Sequence, residues 1–316
     1  MTSQNVIIEG AITAVLYLLL MFLTLFIPII EILTLFILPV PVIVFAARFG
    51  GKRAAGLFVL LALASSLFLT HYSLPLVLLT GIGGLMTGIA IHQRLTAYET
   101  WARGTVGFVI GLLLTFLAVQ GLFQINIVQE MNQAINDSIA QSQEMLKDLG
   151  MTFNQENVDT LLEQMRQIVN LLPVILVVMA LVLGLISQWI GYRVIGWLDK
   201  DKTTLRFPPF RQFRLPVGLV WIYFAALVVT WVSGDPDSIW HIGAVNVTNL
   251  AGLLVALQGL SFVFFYVNQK GMSVAVPIIV IVLTVLFPFI GLYLLRILGI
   301  IDLGFSLRDR INFDKK

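Results

Sequence analysis

Residues 172–192 read LPVILVVMALVLGLISQWIGY, an unbroken run with no charged side chain. As an α-helix rising ~1.5 Å per residue, this run covers ~30 Å, the hydrocarbon thickness of a bilayer. It is apolar on every side, so no face is suited to water and the segment is predicted to sit in lipid. Eight further apolar blocks lie at 6–27, 29–47, 54–70, 74–92, 104–123, 215–233, 243–267 and 273–298, with Glu9, Glu31 and Arg296, all near block ends, as their charged residues. The chain of 316 residues is 59% hydrophobic and 11% charged, with mean hydropathy +0.96. That leaves too little polar surface for a soluble domain. An all-α polytopic membrane protein with about nine transmembrane helices is predicted, the first six forming one group.

The first block has no basic n-region and no small-residue cleavage site, and Pro28 leads directly into a second apolar block. It is therefore expected to stay as a span and not to be removed as a signal peptide. The chain has no cysteine, which excludes disulfides, thiolate metal sites and cysteine nucleophiles.

Charge sets the expected orientation. Arg48, Lys52 and Arg53 follow the second block, and Arg94 and Arg103 follow the fourth. Arg193, Lys200, Lys202, Arg206, Arg211 and Arg214 follow the sixth. These loops share one side if the N-terminus is cytoplasmic, the arrangement expected of a multi-pass protein of the bacterial cytoplasmic (inner) membrane. A ninth crossing over 273–298 would leave Arg308, Arg310, Lys315 and Lys316 outside. Pro277 and Pro288 mark a weak point in that block, where a re-entrant or hairpin ending would restore the charge rule.

Residues 124–171 break the apolar pattern. Seven acidic residues (Glu130, Asp137, Glu144, Asp148, Glu156, Asp159 and Glu163) face only Lys147 and Arg166. Val128, Met131, Ile135 and Ile139 recur at helical spacing, as do Val158, Leu161, Leu162, Met165, Ile168 and Val169. This is the pattern of an extracytoplasmic helical hairpin zipped along its apolar stripes, serving as a brace, a lid or a docking element. A second boundary falls in the basic, proline-containing segment after residue 198. It divides the chain into 1–198, including the hairpin, and 199–316.

Small residues mark close helix contacts. Gly84/Gly88 and Gly107/Gly111 are small-xxx-small pairs suited to helix packing in lipid. Gly10/Ala14 in the first block is a third such pair, read as a surface for a partner helix. Polar groups able to meet a small solute at the outer face are Gln120, Gln124, Gln188, Glu31 and His71; Gln258, Asn246 and Asn249 are further polar residues inside spans. Each of these can equally satisfy a neighbouring helix. Metalloprotease, nucleophile-elbow and P-loop sequences are absent, so no catalytic residue, metal or cofactor is expected. The formal net charge of +2 carries no nucleic-acid signal.

The entry Glu9-Gly10-Ala11, the motif Gln258-Gly259-Leu260-Ser261 and the ending Leu298-Gly299-Ile300-Ile301-Asp302-Leu303-Gly304-Phe305 with Arg308 and Arg310 resemble the YybS-like family of uncharacterised bacterial membrane proteins over nearly the whole chain. More distantly, residues 1–198 resemble the substrate-binding S-components of energy-coupling-factor transporters. Those proteins have six helices with both ends cytoplasmic, and a small-residue motif in helix one that docks a coupling subunit. Gly10 and Ala14 occupy the matching place. The resemblance implies transport, a small solute and a membrane coupling subunit. The hairpin at 124–171 and the spans after Pro209 depart from it. A membrane scaffold or regulator that binds another protein through the hairpin or the basic loop is the alternative.

Overall fold

The computed structural model describes residues 3–69, 73–149, 155–199, 205–236 and 238–313. Among them the chain is helical throughout its regular structure. Eight helices are long and apolar enough to cross a membrane, and shorter apolar helices occupy Gly218–Val232 and Ala275–Leu286. The chain separates into two compact units, Met1–Arg206 and Phe207–Lys316.

The first unit contains α1 (Ser3–Phe26), α2 (Glu31–Ile37), α3 (Val40–Phe49), α4 (Gly51–Phe68), α5 (Ser73–His92) and α6 (Ala97–Phe123). It continues through α7 (Ile127–Asp148) and α8 (Gln155–Asn170) to α9 (Leu172–Leu198). α6 starts at a reciprocal cap in which the Thr96 hydroxyl accepts from the Glu99 amide while the Glu99 carboxylate accepts from the Thr96 amide at 3.0 Å.

Glycine sets the tightest contacts of this unit. A Cβ on Gly84 would lie 2.8 Å from the Pro39 carbonyl oxygen, and one on Gly88 would lie 2.6 Å from that of Ile43. These two glycines seat α5 directly on the backbone of α3. A Cβ on Gly111 would lie 2.8 Å from the Leu78 and Leu79 carbonyl oxygens, and one on Gly107 would lie 2.8 Å from the Met86 side chain, so α6 packs closely on α5. Both expected small-residue pairs thus pack within the chain. Lipid supplies no hydrophobic drive for helix association, so this shape fit and cross-helix hydrogen bonds carry the packing. Tyr17 and Thr80 share a buried hydrogen bond of 2.7 Å between α1 and α5. Ser187 of α9 donates to the Phe36 carbonyl at 3.0 Å.

The second unit contains a 3₁₀ turn at Phe210–Gln212, then α10 (Gly218–Val232), α11 (Ile239–Gln269), α12 (Ala275–Leu286), α13 (Pro288–Phe305) and α14 (Leu307–Phe313). Its ending is not one rod. The block 273–298, expected as a single crossing, divides at Phe287, where Pro288 cannot continue the hydrogen-bond ladder. A Cβ on Gly291 would stand 2.5 Å from the Cα of Thr284, so the two helices fold back on each other at the break. The 12 residues of α12 rise only ~18 Å, short of a hydrocarbon core.

α13 then runs beside α11 in the same direction. Gly252 meets Arg296, Val255 meets Gly299 and Gln258 meets Asp302, so contacts advance together along both helices. The C-terminal helix is thereby returned to the segment that begins the unit, with Arg214 bonded to Asp309 at 3.0 Å. Arg308 and Arg310 lie on the same side as Arg211 and Arg214, so the hairpin ending satisfies the charge rule that a ninth crossing would break.

Candidate functional site

Among the described residues, those read as solute contacts do not come together. Gln120 and Gln124 are exposed at the end of α6, where Gln124 takes a left-handed conformation (φ 58°) and donates to the Gly121 carbonyl. Glu31 is exposed at the start of α2, and His71 lies outside the described residues. Gln188 is fully buried; its amide donates to the Ala97 carbonyl at 2.9 Å and to the Tyr192 hydroxyl at 2.8 Å. Its carbonyl oxygen has no partner. In the described structure it joins α9 to the start of α6.

The expected partner surface at Gly10/Ala14 is corrected. Gly10 faces the ring of Phe45, 3.5 Å from an added Cβ, and Ala14 packs on the buried cluster that includes Tyr17 and Met21. The small pair creates the room that Phe45 of the same chain occupies. The opposite stripe, Ile8, Ile12, Val15, Leu19 and Phe22, is the exposed one. Replacing Gly10 and Ala14 together with Leu is therefore expected to destabilise the first unit by ~1–3 kcal/mol through overpacking. A detergent melting curve unchanged from the parent protein would contradict this placement.

The hairpin forms as the periodicity predicts. α7 and α8 turn Met131, Ile135 and Ile139 and Val158, Leu162, Met165 and Val169 toward partly or fully buried positions. Two shorter apolar stripes remain uncovered: Met145 and Leu149, each 66% exposed, and Leu161 and Ile168, at 44% and 55%. The rest of both helices is mostly glutamine, asparagine, serine and charged residues, a composition unsuited to the hydrocarbon region.

The densest polar constellation was not expected as a site. In the second unit the Arg308 guanidinium donates to Asp302 at 2.9 Å, to the Arg211 and Phe213 carbonyls at 2.8 and 3.1 Å, and to the Ser261 hydroxyl at 3.2 Å. Gln258 donates to Asp302 at 2.5 Å and accepts from the Leu215 amide at 3.0 Å. Ser261 donates to the Phe210 and Phe213 carbonyls, and Phe210 sets its ring edge-on to Phe264. Burial lowers the pKa of Arg308, with Asp302 opposing that shift. One oxygen of Asp302 has no partner. The cluster binds α11, α13 and α14 to the segment entering α10, and is suited to locking them. Its residues, Gln258, Ser261, Asp302 and Arg308, come from two of the three motifs that carry the YybS-like resemblance. The signal available beforehand was an aspartate within an apolar run, six residues before an arginine.

Arg296 is the second departure. Read as part of a single block ending at 298, it sits near a span end; with the chain broken at Phe287 it is the ninth of the 18 residues of α13. Its Nε is buried without a partner and lies against Gly252 of α11, where an added Cβ would also meet the Tyr223 ring of α10.

The DUF2232 family, described as a predicted membrane protein, matches residues 15–303. The uncharacterized protein YybS of Bacillus subtilis (strain 168) is 25% identical over 323 residues, covering 98% of this chain and 100% of that relative. No solved structure matches.

Proposed function

The chain belongs to the DUF2232 family of predicted membrane proteins, and from that premise we propose that it is a non-enzymatic membrane scaffold that docks another protein on its hairpin. The observation that carries this reading is the pair of uncovered apolar stripes on α7 and α8. The hairpin already closes through one stripe on each helix. Side chains such as Met145 and Leu161 are thus left over in water, in a segment too polar to enter lipid. Apolar surface of this kind gains by association.

The setting is a bacterial cytoplasmic membrane with the N-terminus inside and the hairpin outside. The cysteine-free chain makes this orientation testable with single cysteines. Ser142→Cys is expected to react with an impermeant maleimide on intact cells. Gln212→Cys and Arg310→Cys should both stay unreactive until the membrane is opened. Labelling of only one of the latter two would refute their placement on one side.

The docking test exchanges residues 127–170 for a Gly/Ser linker. The truncated protein should insert and melt close to the parent temperature, since α7 contributes no fully buried residue and the described part of α8 only Val158 and Val169. It should also lose a partner that a photocrosslinker at Leu161 captures in cells and that a Leu161→Glu substitution releases. If no adduct forms above that of a crosslinker at Asp137, the scaffold reading fails.

A second reading, S-component-like capture of a small solute by the first unit, is favoured by the buried, unpartnered carbonyl of Gln188. Native mass spectrometry of gently purified protein separates the two readings. A stoichiometric solute lost on Gln188→Leu supports transport, and a bound polypeptide supports the scaffold.

A further inference from the structure

We infer that Arg296 is the mid-membrane contact for a carboxylate carried by a transmembrane helix of a different protein. The inference rests on the scaffold reading and names the chemistry of the partner within the bilayer.

The guanidinium sits where a charge is expensive. Eight residues of α13 precede it and nine follow, so the side chain starts ~12 Å from either end of its helix. On α11 the level is that of Gly252, near the middle of a 31-residue helix. An arginine near a helix end snorkels to the interface, but here both interfaces are beyond easy reach. Intramembrane cations are therefore found paired, and among the described residues this one has neither a hydrogen-bond nor an ion-pair partner.

Sequence excludes an internal counter-charge from the second unit. After Phe207 the acids are Asp235, Asp237, Asp302, Asp309 and Asp314, with no glutamate. Asp235 and Asp237 belong to the connection between α10 and α11, and Asp314 follows α14. Asp302 is held by Arg308, and Asp309 by Arg214.

The site is nonetheless built to receive the guanidinium. Gly252 supplies its bed: a Cβ there would lie 2.9 Å from Nε and 3.0 Å from Cζ of Arg296, so the missing side chain is what lets the group lie against α11. One turn earlier on α11, the Thr248 hydroxyl is buried without a partner, the only such hydroxyl among the described residues of this unit. A donor hydroxyl and a guanidinium within about one helical turn suit a carboxylate, which accepts several hydrogen bonds at once.

The mode of approach argues for a helix over a free solute. Tyr293, Leu294 and Ile297 around Arg296 are 63%, 53% and 37% exposed on a face that meets hydrocarbon. A soluble anion would have to cross that apolar surface with its own desolvation cost. A neighbouring transmembrane helix arrives laterally with its carboxylate already at the same depth. Pairing would relieve both charges at once.

The test uses the full chain in native membranes. A photocrosslinker placed at Tyr293 should join one membrane protein, and sequencing of the adduct should locate the contact in a transmembrane helix bearing Asp or Glu near its middle. Arg296→Met should reduce that adduct and co-purification at least tenfold, while Arg296→Lys keeps a substantial share. Gly252→Ala, which retains the charge but crowds its bed, should weaken capture as well. Decisive support is charge exchange: Arg296→Glu alone abolishes capture, and Arg substituted for the partner's acid restores it.

The inference is overturned if Arg296→Met leaves the adduct intact, if the adduct is a second copy of this chain, or if only lipid is found. Hairpin-dependent capture that survives Arg296→Met would overturn this inference alone and leave the scaffold reading standing. Absence of any protein adduct from the parent sequence, with the crosslinker at Leu161 and at Tyr293, would remove both. Melting curves for Arg296→Met close to those of the parent establish that the variant is folded, and Gly252→Ala provides the same readout with the arginine kept.

Discussion

Arg308→Met is expected to cost ~3–5 kcal/mol of stability in the second unit, because it leaves the Asp302 carboxylate buried with Gln258 as its remaining donor. The same change releases the Arg211 and Phe213 carbonyls and the Ser261 hydroxyl from a common donor. The segment before α10 and helix α14 should then come loose together. Limited proteolysis in detergent should cut near Arg211 and Arg214 in the variant at enzyme levels the parent resists. Asp302→Asn should cost less, since Arg308 keeps its carbonyl acceptors. The double variant Asp302→Asn, Arg308→Met should recover part of the single-variant loss, because no charge is then stranded. If Arg308→Met melts with the parent protein, the cluster is not what holds these elements.

The second large effect is expected at the crossing of α11 and α13. A Cβ on Gly259 would run into the Leu295 carbonyl oxygen and stand 3.0 Å from the Gly299 amide nitrogen; one on Gly299 would run into the Val255 carbonyl oxygen. The obstructing atoms are backbone, so a side chain at either position must push the helices apart. Gly259→Val and Gly299→Val are each expected to cost ~1–3 kcal/mol, and more where the separation also draws Asp302 away from Gln258. Gly304→Ala is the internal control. It lies on the same helix with open space around it, and alanine there should be neutral or slightly stabilising. Equal melting temperatures for Gly259→Val and Gly304→Ala would refute the close crossing.

Periodicity made the helices legible because lipid imposes a length and a composition on anything that crosses it. The apolar blocks, the amphipathic hairpin and the small-residue pairs at Gly84/Gly88 and Gly107/Gly111 could all be read from local pattern. The direction in which a small residue points could not. Gly10/Ala14 and Gly84/Gly88 are the same motif, and both are filled from within, the first by Phe45 and the second by the α3 backbone. Spacing records that close approach is possible, whereas the identity of the approaching group is a property of the whole bundle.

The ending was ambiguous for a related reason. Pro288 announces a break, but whether the chain bends or reverses depends on Gly291 finding room against Thr284 and on α13 finding Gly259 to cross. That reversal changes the meaning of two charges. Arg296, near the end of a span in linear order, becomes a mid-membrane guanidinium. Asp302 and Arg308, six positions apart in a tail, become a buried pair held by residues of α11 and by the chain before α10.

Local composition, read against a solvent of known thickness, places this chain in a bilayer and shows which segment lies outside its apolar blocks. Which polar groups are satisfied and which are left without a partner follows from the packed helices alone. Hydrogen bonds between residues such as Gln258 and Asp302, 44 positions apart, depend on helix direction and crossing, which no local window of sequence contains.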